Sequence, residues 1–166
     1  MIFSLSTDVI ADIVHAYAAL ELLSADADGE GRRFLTPLLD RERPEPMCNL
    51  IKDAFAATVL DLLPYVEDMA FGETTDGLLR IDLRLPPSFP ASHSSLLRRR
   101  MEHLIAMRVL DSALAAVAVD IPAVAAVFAE RHREAREAVV SALRSAPGVF
   151  VRSRFGCGAE TYSLLF

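Results

Sequence analysis

Acidic residues fall at the first, third and fifth places of Asp26-Ala27-Asp28-Gly29-Glu30-Gly31, with glycine at the sixth, the spacing by which a twelve-residue loop wraps calcium. The bidentate glutamate such a loop needs at its twelfth place is Pro37 here, and Arg32 and Arg33 set positive charge beside the would-be ion. The stretch reads as a solvated acidic loop. The histidines, at 15, 93, 103 and 132, include neither an HExxH motif nor a pair one helical turn apart. A metal or acid–base centre built from His103 and His132 requires two long helices to bring them together, and the charges of Glu130-Arg131-His132-Arg133-Glu134 read instead as an exposed helical face. Serines are numerous, yet none stands in a GxSxG elbow, and no glycine-rich phosphate loop occurs. Asp82, Asp111 and Asp120 are candidate carboxylates that nothing in the sequence pairs. No catalytic residue, cofactor or metal ligand is assigned, and the chain is read as a non-enzyme.

Cations are more informative. Arg98-Arg99-Arg100 span most of a turn near the start of a long helix, and Arg108 follows further along. Three cations at a helix N-terminus oppose its dipole, so an acidic neighbour or a phosphate is expected to compensate them. The alternatives are a salt-bridged or solvated face, a subunit interface, and nucleic acid. The net charge of −6 and the lack of interleaved aromatics argue against nucleic acid, although 16 of the 17 basic residues are arginine. Residues 1–79 carry net −10 and residues 80–166 net +4. That polarity suits head-to-tail contact between copies, or two halves folding against each other.

These side chains must be positioned by one domain, residues 1–166, long enough to bury a core without staples. The hydrophobic share of 52% and mean hydropathy of +0.30 raise the question of a membrane. No apolar run reaches the roughly 18–20 residues of a spanning helix; the longest, residues 112–119, is cut off by Asp120 and Pro122. No basic segment precedes the first apolar residues, so a cytoplasmic protein with free thiols at Cys48 and Cys157 is expected.

Met1–Leu5 reads as a short edge strand. Ser6, Thr7 or Asp8 then caps a helix with Ile10, Ile13, Val14, Tyr17, Leu20 and Leu23 on one buried stripe. A loop to Arg33 and a short helical turn at Phe34–Leu39 lead to Pro44 and Pro46. From Met47 a second helix runs to about Val66, strained late by Pro64. Met69–Phe71 and Leu78–Leu85 flank a turn, and the second alternates apolar with charged residues as a half-buried strand does. After the prolines at 86, 87 and 90, Ser92, Ser94 or Ser95 caps a helix to about Val119. Asp120 and Pro122 start another, to about Ala146, so the two form a long antiparallel hairpin. Pro147-Gly148 ends it, and Val149–Phe155 and Glu160–Phe166 are strand candidates. The fold class is α+β, mainly α: a helical bundle with a long antiparallel helical hairpin and a small antiparallel sheet.

Leu62-Leu63-Pro64-Tyr65-Val66, then Arg80-Ile81-Asp82-Leu83-Arg84-Leu85-Pro86-Pro87-Ser88-Phe89, then the helical pair, resemble small prophage-encoded proteins that look like helical head–tail connectors or adaptors. The likeness covers about residues 45–145 and is one of element order. It implies a virion or assembly part that forms rings or stacks. The strand-like segment after Gly148 departs from that pattern.

The expected function is therefore structural: self-association, with other copies or other assembly proteins as partners. Arg98, Arg99, Arg100, Arg108 and the apolar Leu164, Leu165 and Phe166 are the candidate interface residues. The last three are expected to dock as a further strand beside 78–85 and 149–155, with an arm given to a neighbour as the alternative. The second reading is a ligand-binding or regulatory domain with a pocket between bundle helices lined by Phe55, Met101, Ile105 and Phe128, residues that equally suit the core.

Overall fold

The computed structural model describes residues 2–24, 36, 40–42, 44–65, 69–73, 78–83, 85, 89 and 91–144. The elements run β1 (Ile2–Leu5), α1 (Thr7–Ser24), α2 (Pro44–Leu62), a 3-10 turn (Leu63–Tyr65), β2 (Met69–Glu73), β3 (Leu79–Leu83), α3 (Ala91–Ala115) and α4 (Pro122–Arg144). This is the mainly α, α+β architecture expected, with a three-stranded antiparallel sheet of order β1-β3-β2.

The centre of the bundle is α3. Its Leu104, Ile105, Ala106 and Met107 are buried in succession, which a helix with one wet face does not allow. It packs against α1, α2 and α4, and β1 also reaches it. α4 returns antiparallel to α3, as cross-helix contacts from Arg100 to Ala138 and from Asp111 to His132 require. The reversal is tight: the amides of Val117 and Asp120 donate to the carbonyls of Leu114 and Val117 at 3.1 and 3.0 Å. Pro122 then opens α4 at the position where a missing N–H costs nothing.

Alternation in β3 is as read, with Leu79, Ile81 and Leu83 buried and Arg80 exposed. Phe3 and Phe71 pair with Ile81 from either side, and Ile2 and Ala70 pair with Asp82 on the opposite face. The sheet thus covers the helices with Phe3, Leu5, Leu79, Ile81 and Leu83.

Several expectations change. The buried line of α1 is Ile10, Val14 and Ala18, one residue per turn, flanked by Ile13 and Tyr17, whereas Leu20 and Leu23 are 59% and 83% exposed. Ser6 is the cap, its hydroxyl accepting from the Val9 amide at 3.4 Å. α2 stops at Leu62 because Pro64 cannot donate to the preceding turn, and the chain tightens into the 3-10 turn. Strand β3 has neighbours on both edges, β1 and β2. The loop at 25–35, Cys157, and the strand candidates Val149–Phe155 and Glu160–Phe166, with Leu164, Leu165 and Phe166, lie outside the described residues. No helix among the described residues is long and apolar enough to cross a membrane.

Candidate functional site

A charge partly withdrawn from water at a helix seam is best held by an opposite one. Arg108 interrupts an apolar run of α3, and its guanidinium donates to the Asp61 carboxylate of α2 at 2.5 Å. With side chains 21% and 35% exposed, the pair sits at the rim of the α2–α3 seam and fixes the register of the two helices. Arg108 thereby has an ion-pair partner within its own subunit. Sequence carried a signal for this, since Arg108 interrupts the apolar run Leu104-Ile105-Ala106-Met107 and Val109-Leu110.

One turn further along α3, a second pair ties it to α4. Asp111 Oδ2 lies 2.7 Å from His132 Nδ1 on α4, leaving His132 Nε2 buried without a hydrogen-bond partner among the described residues. The carboxylate holds Nδ1 as donor and so fixes the ring between the helices. His132 therefore belongs to the hairpin seam and not to an exposed face; Glu130, Arg133 and Glu134 are the exposed members of that segment. There Arg133 bridges both Glu130 and Glu137, and its hydrogen bond holds the Glu130 carboxyl below the usual range.

His103 does not join this pair. Its ring lies 5.5 Å from that of Tyr17 on α1, and the Arg131 guanidinium stands 5.2 Å from the Tyr17 ring and 5.3 Å from the Phe128 ring. Arg131 is thus held by cation–π contact, spreading its charge over two faces in a partly dry seam. Burial pushes His103 below the usual histidine range. His15 on α1 is lowered by burial and by Arg41, against an opposing effect of Asp12. A histidine harder to protonate when folded gives full stability above the ordinary value near 6.5, and that stability falls as pH drops from there through the lower folded value. His103→Gln should therefore show a smaller loss of urea midpoint than the wild type between about pH 7.5 and pH 5.5. An equal or steeper loss in the variant would contradict this placement of His103.

The residues expected to form a ligand pocket are core. Phe55, Met101, Ile105 and Phe128 are 4%, 1%, 0% and 0% exposed in one continuous apolar cluster. Among the described residues, concavity is found instead around the last half of α4. One depression of about 420 Å³ is lined by Tyr65, Arg136, Glu137, Val140, Ser141 and Arg144. A second, of about 300 Å³, shares Ser141 with it and adds Phe89, His93, Leu96, Leu97, Arg100 and Ala142. A third, of about 160 Å³, shares Arg100 and adds Arg99, His103, Ala135 and Ala138. The second and third lie between α3 and α4, whereas the first is bounded by α4 and by Tyr65 of the 3-10 turn.

Arg99 and Arg100 of the arginine triplet line the depressions between α3 and α4. α3 begins at Ala91, so Arg98, Arg99 and Arg100 lie beyond its first turn, where the dipole penalty expected for them has largely faded. Arg98 and Arg99 are exposed, and Arg100 is half-buried with Nη1 donating to the Ala138 carbonyl at 3.1 Å. Arg144 at the far end stacks on Tyr65 at 5.2 Å. Arg98, Arg99 and Arg136 have no ion-pair partner among the described residues. These depressions were not foreseen because they set Arg99 and Arg100 of α3 against Ala135, Ala138 and Ala142 of α4, and Tyr65 against Arg136 and Arg144, juxtapositions fixed by how the hairpin is rotated. Comparison with known proteins finds no family model that matches this chain, and no match among curated proteins or solved structures.

Proposed function

We propose that this chain is a non-enzymatic structural or assembly protein that acts by self-association, of the connector type found in phage or prophage particles, working in the cytoplasm and in the virion. The observation that carries this reading is the exposure of large apolar side chains beside charge of opposite sign on separate faces. Leu96 is 47% exposed beside Arg100 in the second depression, and Leu60 and Leu63 are 60% and 45% exposed on the acidic α2 side. Apolar groups bordered by charge are the makings of a specific protein contact, in which burial gives affinity and charge gives register. The test is sedimentation of the full chain across a concentration series at low and high salt. A mass that grows with concentration and shrinks with salt is expected; a monomer of 18.2 kDa throughout would overturn the reading.

A second reading, a regulatory domain that binds a small anionic amphiphile, is favoured by the 300 Å³ depression, where Phe89, Leu96 and Leu97 adjoin Arg100 and His93. It would leave the chain monomeric and raise its melting temperature with such a compound.

A further inference from the structure

Resting on the second reading above, we infer that the depression of about 300 Å³ is a binding site for a small aliphatic monocarboxylate, its head on Arg100 and its chain on Phe89 and Leu97. Charge and apolar surface both select this chemistry. Among the described residues, neither this depression nor the adjoining one that shares Arg100 is lined by a carboxylate, whereas Arg99, Arg100, His93 and His103 all contribute to them. In a chain of net charge −6, a concave surface with bases and no acid favours an anion. Phe89 and Leu97, 8% and 1% exposed, make an apolar floor that Ala142 of α4 and exposed Leu96 extend. A volume at the lower end of the roughly 300–1,000 Å³ of ligand pockets limits the hydrocarbon to a short one.

Arg100 selects the head group. Its Nη1 donates to the Ala138 carbonyl at 3.1 Å, which holds the guanidinium across the α3–α4 seam before any ligand arrives. Arg100 has no ion-pair partner, and its Nε and Nη2 have no hydrogen-bond partner, among the described residues. That remaining edge carries two parallel N–H donors, the pattern that matches the two oxygens of a planar carboxylate. A phosphate calls for more donors, commonly the unspent backbone amides of a helix N-terminus. Apart from His93, the lining positions of α3 and α4 lie beyond the first turn of their helices, so their amides are spent on the preceding turn. Arg100 is also half-buried where Arg98 and Arg99 are exposed, so an anion on it competes with less water.

Four probes test this: octanoate, octyl phosphate, 1-octanol and octylammonium, each titrated into the full-length protein below its micelle-forming concentration, with binding read by calorimetry and by the urea midpoint. Octanoate should bind saturably and raise the midpoint, since a ligand held by the folded state alone stabilises it. The alcohol and the ammonium should bind about tenfold or more weakly, lacking the charge-assisted bond. Arg100→Gln should weaken octanoate by about tenfold or more, and Arg100→Lys, which keeps the charge without the planar fork, takes its place should the glutamine variant fail to fold. Arg133→Gln, which removes the same charge elsewhere on α4, should bind octanoate as the wild type does. Octanoate binding that is unchanged in the folded Arg100 variant, matched by 1-octanol or exceeded by octyl phosphate would overturn the inference while leaving a site for amphiphiles. Failure of octanoate and octyl phosphate alike to bind would instead overturn the reading on which the inference rests.

Discussion

Phe128→Ala should lower the unfolding free energy by about 3–5 kcal/mol, read from the urea midpoint with the slope unchanged. The ring is fully buried on α4 and faces the seam that α4 makes with the rest of the bundle. Its loss removes apolar contact and leaves a cavity that two long, mutually braced helices cannot readily collapse. It also strips Arg131 of one of the two rings that hold its guanidinium, the other being Tyr17. Arg131 Nη1 is already buried without a hydrogen-bond partner among the described residues, so the side chain has little to fall back on. Phe128→Leu, which keeps much of the volume, should recover most of the stability. A cost below about 1 kcal/mol for the alanine variant would mean that α4 is not seated as described.

Phe3→Ala should cost about 3–5 kcal/mol, while Ile2→Ala, one residue away, should cost well under 1 kcal/mol. The contrast follows from register. Phe3 pairs with Ile81 on the covered face and is 4% exposed, whereas Ile2 pairs with Asp82 on the outer face and is 52% exposed. A slip of β1 by one residue would exchange the two faces and reverse the ranking. Equal costs would show that β1 is not held in this register.

Which parts of this molecule were readable from its sequence depends on the range of the forces that decide them. The hairpin was readable because Asp120 and Pro122 terminate and restart a helix by local chemistry. β3 was readable because alternation about Ile81 is itself the signature of a half-buried strand. α1 misled at its end: Leu20 and Leu23 fit an apolar stripe, but its buried line runs through the small Ala18, and the helix leaves its neighbours before the leucines are covered. The serines at 92, 94 and 95 misled as caps, since the helix already begins at Ala91. The pairs Arg108–Asp61 and Asp111–His132 and the arginine-lined depressions depend on the relative rotation of three helices. No local pattern encodes that, although a lone charge within an apolar run does announce that a partner exists.

The Arg108–Asp61 pair also narrows what the surface can do. With Arg108 paired to Asp61, Arg98, Arg99 and Arg136 remain without an ion-pair partner among the described residues, whereas Arg133 on α4 is engaged by Glu130 and Glu137.

The most direct measurement is sedimentation equilibrium of the full-length chain across a concentration series at low and high salt. A mass above the 18.2 kDa monomer that grows with concentration and shrinks with salt is expected, and a folded monomer at every concentration and salt would contradict self-association.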